Sequence, residues 1–252
     1  VRAGQVILIT GGTGGIGSEI VRQAAATGAT VAIHGAHEEK VEAAIDRLTA
    51  EIPGARLLSV PADFVKPGAL EDTVATVIAA TGRLDALVHC ATSGGGGKGI
   101  TGPFASTDPD RYAHLATGGL AVFQRLCAAA LPHLARQGGT IVCFTSDAGR
   151  FAAPRQSLVA ATAGGVMTFI RNLAVEVARD GVRVHGIAPT FVEDTPIFAA
   201  LEQAGRAESA QKRAGLGLPS PSDIAPMVLF LCGEGAAKIT GQIISINGGL
   251  NA

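Results

Sequence analysis

Short blocks of consecutive apolar residues alternate along the chain with longer stretches whose apolar positions recur every three or four residues. The blocks are Gln5–Thr10, Thr30–His34, Arg56–Val60, Asp85–Cys90, Thr140–Thr145, Val182–Ile187 and Gln242–Ile246. Unbroken apolar runs of this length suit strands covered on both faces. Between them, Gly15–Thr27 carries Ile16, Ile20, Val21 and Ala24 at helical spacing, and Glu38–Glu51 carries Val41, Ala44, Ile45 and Leu48 on one stripe. Gly68–Thr81, Pro109–Arg136, Leu158–Arg179 and Ser222–Cys232 read as further helices, the last with Pro221 and Ser222 at its start. Seven apolar strands separated by helices predict an α/β chain, doubly wound, with a seven-stranded parallel sheet and helices on both faces. No linker or repeat divides residues 1–252, so one domain is expected. Two segments break the rhythm, Ser93–Gly102 and Thr190–Gly217. Both follow strand C-termini, where such sheets bind ligands.

Composition narrows the class. Hydrophobic residues make up 47% and charged residues 16%, with a formal net charge of −1. That balance fits a packed globular chain and argues against nucleic acid or an anionic membrane surface as partner. No apolar stretch is expected to reach the ~20 residues of a membrane span. The first residues lead almost directly into a strand and do not read as a signal peptide. Cys90, Cys127, Cys143 and Cys232 lie in apolar runs without a CxxC pair, as buried thiols of a cytoplasmic protein would. No His, Cys and Asp cluster has metal-ligand spacing.

The chemistry concentrates after the first strand. Thr10-Gly11-Gly12-Thr13-Gly14-Gly15-Ile16-Gly17 joins a strand to a helix. Small residues there permit a tight turn and close backbone approach to a pyrophosphate, and the helix N-terminus adds unpaired N–H groups. This is a Rossmann-type dinucleotide loop, with Gly11, Thr13, Gly15, Ile16 and Gly17 as cofactor-binding candidates. Asp63, followed by Phe64, is placed to accept a hydrogen bond from an adenine amino group, or else to cap a loop. The second strand ends His34-Gly35-Ala36-His37, with no acid before Glu38 to bond a ribose 2′-hydroxyl and no Arg for a 2′-phosphate. NADP or NAD is therefore the expected cofactor, with a tilt toward NADP. His34 or His37, if protonated, would meet a phosphate; the alternative is a surface histidine.

Taken together, these segments resemble the short-chain dehydrogenase/reductase family over nearly the full length. The matching stretches are TGGTGGIG (Thr10–Gly17), Asp63, LDALVHCA (Leu84–Ala91), ALPHL (Ala130–Leu134), GGTIVCFTS (Gly138–Ser146), LAVEVARDGVRVHGIAP (Leu173–Pro189) and ITGQIISINGG (Ile239–Gly249). The resemblance implies an NAD(P) cofactor, a small-molecule substrate, a homotetramer or homodimer, and reduction of a carbonyl or oxidation of an alcohol. It adds Ala91, Pro189 and Thr195 to the cofactor site. In the family a Tyr donates the proton, a Lys four residues later lowers its pKa from about 10 and holds the nicotinamide ribose, a Ser polarises the substrate oxygen, and an Asn supports a relay. Ser146 matches the Ser. The Tyr position falls on Val159, the Lys position on Ala163 and the Asn position on Gly119. The chain's one tyrosine is Tyr112, and no lysine lies between Lys98 and Lys212. The phosphate end of the site is kept and the proton-transfer end is dismantled, leaving either a wide dry pocket or a gap filled by partner side chains.

Substitute groups are few. Ser146 orients a substrate oxygen or simply bonds backbone. Asp147 reads as a solvated loop acid or a buried one with raised pKa. Arg150 and Arg155 suit an anionic substrate or solvent. His114 and His89 are histidines near the cleft. Lys98 in the run SGGGGKG would meet a phosphate or ride on a surface loop. Phe191, Ile197, Phe198 and Leu201 suggest an apolar ligand. Three functions remain open: an NAD(P)-dependent oxidoreductase with a non-standard site, a non-catalytic subunit paired with an intact relative in a hetero-oligomer, and an enzyme of another reaction class reusing the pocket.

Overall fold

The computed structural model describes residues 1–91, 99–203, 205 and 207–251. The glycine run and Lys98 singled out above lie outside the described residues, apart from Gly99. Seven parallel strands form one sheet: β1 Val6–Thr10, β2 Thr30–Gly35, β3 Arg56–Pro61, β4 Ala86–His89, β5 Thr140–Phe144, β6 Arg183–Pro189 and β7 Ile243–Ile246. Their order is β3-β2-β1-β4-β5-β6-β7, which reverses direction between β1 and β4. That reversal opens a crevice at the strand C-termini, beside the β1 loop.

Helices α1 (Gly15–Ala26), α2 (Glu38–Glu51) and α9 (Pro221–Cys232) cover one face, burying Ile20, Val41, Leu48 and Val228 against Ile9, Ile33 and Val88. The other face carries α3 (Ala69–Thr81), α5 (Val122–Leu134) and α6 (Ser157–Glu176), with Phe123, Leu126 and Ile170 against Leu8, Leu87 and Val184. Each large apolar side chain so buried contributes about 1.5–3 kcal/mol. The helix α9 starts one residue earlier than its Ser222 suggested: the Ser220 N–H donates to the Asp223 carboxylate at 2.8 Å, and Pro221 follows where no N–H is needed.

The long helix expected from Pro109 to Arg136 is interrupted. After a 3₁₀ turn at Pro109–Arg111 it runs as α4 (Tyr112–Ala116), widens to a π turn over Thr117–Ala121, and resumes as α5. Gly118 and Gly119 sit in the widened turn, where missing side chains weaken the regular ladder. The 190–217 segment holds α7 (Pro196–Gln203) and α8 (Ala207–Arg213), whose Phe198, Ala207 and Ala210 form a small core of their own with Leu218 and Leu250.

Two helical stretches, Pro109–Leu134 and Ser157–Glu176, do reach the length and mean hydropathy of a membrane span, contrary to expectation. Both lay one apolar face on the sheet, with 28% and 33% of the two stretches buried within the chain.

Candidate functional site

The β1–α1 loop is shaped for close backbone approach. Gly11 has φ +72°, and a Cβ there would stand 2.7 Å from the Ala91 backbone nitrogen. A Cβ on Gly17 would collide with the Gly11 carbonyl oxygen. These contacts exclude side chains and bring the first turn of α1 under the loop. Gly14, the residue before α1, supplies no side-chain cap, so the helix presents bare N–H groups to an anion.

A cavity of about 450 Å³ opens beside this loop. Gly11, Thr13, His34, Asp63, Phe64 and Ala91 line it; Gly15, Ile16, Gly17, Pro189 and Thr195 do not. Gly35 and Ala36 close it at the β2 end. Its far wall is one helical face carrying His114, Thr117, Gly118, Ala121, Val122 and Arg125. His114 was singled out from the sequence as a histidine near the cleft; the others escaped that reading, although their spacing of three and four marks a single face. Arg125 is bound by Glu71 of α3 at 2.8 and 2.9 Å. Asp63 also accepts the Val65 N–H at 3.1 Å, so it shapes the turn whose carboxylate faces the cavity.

His34 is neither a surface histidine nor a protonated phosphate ligand. It is buried, stacks on Phe64 at 4.0 Å, and uses both ring nitrogens. Nε2 lies 2.9 Å from the Ala62 carbonyl, and Nδ1 accepts the Gly11 N–H at 3.3 Å. That pair of partners selects the neutral Nε2–H tautomer. Burial lowers the pKa to about 4, against small opposing effects of backbone bonding. His34 therefore lines the cavity as a neutral brace between the glycine loop and β3. His89 is equally internal: Nδ1 pairs with the Thr10 hydroxyl at 2.7 Å, the ring stacks on Phe123 at 5.6 Å, and burial, then the nearby His34, lower its pKa to about 4. It does not serve as a ready proton donor near neutral pH.

At the other end of the crevice the expected catalytic positions come together differently. The Ser146 Oγ accepts the Ala148 N–H at 3.3 Å. Asp147 is not a solvated loop acid. It is fully buried, and its carboxylate takes the Ser245 hydroxyl and the Asn247 amide, each at 2.5 Å, with the Thr190 hydroxyl at 3.5 Å. Arg150 donates to the Ile243 carbonyl at 3.0 Å and to Ser245 at 3.1 Å. Val159 is half-buried and Ala163 buried on α6. A Cβ on Gly149 would stand 3.0 Å from the Ala163 Cβ, and a Cβ on Gly119 would collide with Thr162 Cγ2. Small residues here let the elements close on each other, and neither Val159 nor Ala163 lines the 450 Å³ cavity. The Thr195 hydroxyl donates to the Val192 carbonyl at 2.7 Å and accepts the Phe198 N–H at 3.2 Å, capping α7. Tyr112 lies outside the cavity, with its hydroxyl 2.6 Å from Thr107.

A doubly wound sheet with a bare glycine-loop helix at its switch point defines a nucleotide-binding α/β protein. A family model described as enoyl-(acyl carrier protein) reductase matches residues 11–251. The chain is 32% identical over 249 residues to the (2S)-[(R)-hydroxy(phenyl)methyl]succinyl-CoA dehydrogenase subunit BbsC of Thauera aromatica, covering 99% of this chain and 95% of that one. Among solved structures it is similar to a 7α-hydroxysteroid dehydrogenase complexed with NADH and 7-oxo glycochenodeoxycholic acid, with TM-score 0.89, 25% identity, and coverage of 98% and 95%. It is also similar to an actinorhodin polyketide ketoreductase variant with NADPH, with TM-score 0.87, 28% identity, and coverage of 98% and 97%. The chain belongs to the short-chain dehydrogenase/reductase family, a family of NAD(P)-dependent oxidoreductases.

Proposed function

We propose that the chain is an atypical member of this family, an NAD(P)-dependent oxidoreductase that works without the Tyr–Lys pair. Its substrate is a small, apolar carbonyl or alcohol, or an activated C=C or C=N compound. The observation that carries this reading is the glycine loop, whose Gly11 and Gly17 admit no side chain, set beside an open cavity. Such a loop is kept for a diphosphate. Bound NAD(P)H would supply hydride. The chain's own part is to hold the diphosphate at the α1 N-terminus, face the adenine with Asp63, and orient a substrate oxygen with Ser146. Val159 and Ala163 carry no exchangeable proton, so the proton comes from water, from Ser146 or from the substrate. The β2 end offers Gly35 and Ala36 where an acid would select NAD, which favours NADP. We also propose a homotetramer or homodimer as the working form.

A second reading has its own support. The Thauera relative is by name a subunit of a dehydrogenase, and the packed contacts around Ala163 leave little room for proton-transfer chemistry. The chain would then be a cofactor-binding, non-catalytic subunit paired with an intact relative.

Titration of NADPH and NADH fluorescence separates these readings, with a low background because the chain has no Trp. Binding followed by turnover of a ketone, alcohol or enone supports the oxidoreductase. Binding without turnover, with a relative carrying Tyr and Lys co-purifying, supports the subunit. Absence of binding at millimolar concentration refutes both.

A further inference from the structure

The glycine loop does not fix its own conformation. Gly11, Gly12 and Gly14 have no Cβ, so their backbone preferences alone leave many arrangements open. One residue of β2 holds the loop from outside. The His34 carbonyl accepts the Gly12 N–H at 2.9 Å, and the His34 ring accepts the Gly11 N–H on Nδ1 at 3.3 Å. The peptide planes on both sides of the Gly11 Cα are therefore bound by a single residue, and with them the φ of +72° at Gly11. The hold passes along the chain. The Gly11 carbonyl accepts the Gly14 N–H at 3.0 Å, and the Gly14 carbonyl accepts the Ser18 N–H at 2.9 Å. Between these bonds stand the N–H groups of Gly15, Ile16 and Gly17, the first of α1, which the helix ladder leaves open. They are the groups an anion meets.

The ring is held in its turn. It is 3% exposed, Phe64 stacks on it at 4.0 Å, and Nε2 donates to the Ala62 carbonyl at 2.9 Å. That bond keeps the ring proton on Nε2 and leaves Nδ1 as an acceptor for Gly11. Both nitrogens are thus taken by backbone, and neither is left for a ligand.

We propose that His34 is the positioning residue of the cofactor site: as an acceptor on Nδ1 it sets the β1–α1 loop, and through it the affinity for an anionic dinucleotide, without touching the phosphates. The proposal rests on the cofactor-site reading above. Three substitutions separate the acceptor from the bulk of the ring. Asn carries its Oδ1 about where Nδ1 stands and keeps an acceptor for Gly11. Gln carries its amide farther out, toward Ala62, and leaves Gly11 without one. Phe keeps the ring and the stack and has no acceptor at all.

The experiment is fluorescence titration of the full chain with NADPH and NADH at pH 7, for the parent, His34→Asn, His34→Gln and His34→Phe, with thermal melts by circular dichroism alongside. The Gln and Phe variants, whose Gly11 N–H has lost its acceptor, are expected to bind about tenfold or more weakly, and the Asn variant to stay within about threefold of the parent. Melting temperatures are expected to fall in all three, since each loses part of the brace. Affinity that follows melting temperature instead of the acceptor overturns the proposal. Parent-like binding by the Gln and Phe variants, or a loss in Asn as large as in Gln, also overturns it and leaves the cofactor reading standing. A parent that binds neither cofactor overturns both. Should the variants not fold, the parent decides. Hydrogen exchange followed by nuclear magnetic resonance is expected to show the Gly11 amide protected in the cofactor-free protein, and a freely exchanging Gly11 amide overturns the proposal.

Discussion

Acid should unfold this protein through buried imidazoles, and His185 is the cleanest place to test it. The residue lies in β6, opposite Val142 of β5 and on the face that carries Ile187. It is 0% exposed, and neither ring nitrogen makes a hydrogen bond of ordinary geometry among the described residues, the Ile239 backbone being a weak partner. Burial, then the neighbouring Arg183 charge, lowers its pKa from 6.5 to about 4, and the Ile239 backbone offsets only part of this. The fold therefore holds a neutral ring while the unfolded chain takes up a proton below pH 6.5. The stability tied to that neutral ring is fully present above pH 6.5 and is lost as pH falls from 6.5 toward 4. Complete protonation of the unfolded chain costs the fold about 3 kcal/mol. At pH 5 the part already lost is about 2 kcal/mol, set against a typical total of 5–15. His185→Leu removes both the titration and the orphaned nitrogens. At pH 7 it should raise stability by about 1 kcal/mol, and the advantage should grow by about 2 kcal/mol at pH 5. Urea unfolding followed by far-ultraviolet circular dichroism at the two pH values measures this. A variant that loses as much stability as the parent between pH 7 and 5 would refute the reasoning. His34 and His89 titrate in the same direction in both proteins, so they cancel in the difference.

Other expectations are briefer. Gly119→Ala places a methyl group against Thr162 and should cost about 1–3 kcal/mol, with Thr162→Ala restoring most of it in the double variant. Asn247→Asp sets a second carboxylate against the buried Asp147, and a thermal melt at pH 7 should show a loss of about 3 kcal/mol or more that shrinks as pH falls. Val159→Tyr with Ala163→Lys would raise carbonyl reduction only if the space were open. Because Ala163 is buried against Gly149, the expected outcome is a lowered Tm with no gain in NADPH oxidation on a ketone panel, and a stable, active double variant would contradict the packing argument.

Much of this protein was legible from periodicity. Strands buried on both faces announce themselves as apolar runs such as VILIT, and the glycine loop is readable because its small residues answer a local need. The family followed from the order of those segments, and counting along one helix led to the expectation that Val159 and Ala163 stand at the Tyr and Lys positions. What periodicity missed depends on contacts distant in sequence. His34 reads as a polar residue at a strand end; only the sheet, by setting Gly11 on one side and Ala62 on the other, makes it a neutral brace. Asp147 looks like a loop acid until β7 brings Ser245 and Asn247, about a hundred residues away, onto its carboxylate. Small residues at the expected Tyr and Lys positions left open either a wide dry pocket or a gap filled by partner side chains. How such a space is shaped depends on how closely neighbouring elements approach, and Gly149 lets the turn after β5 lie directly against Ala163 and Gly164 of α6. The local sequence thus determined the elements and the loop. The tertiary structure decided which polar residues face ligand and which face each other, because burial and partnership are properties of pairs that the chain order does not contain.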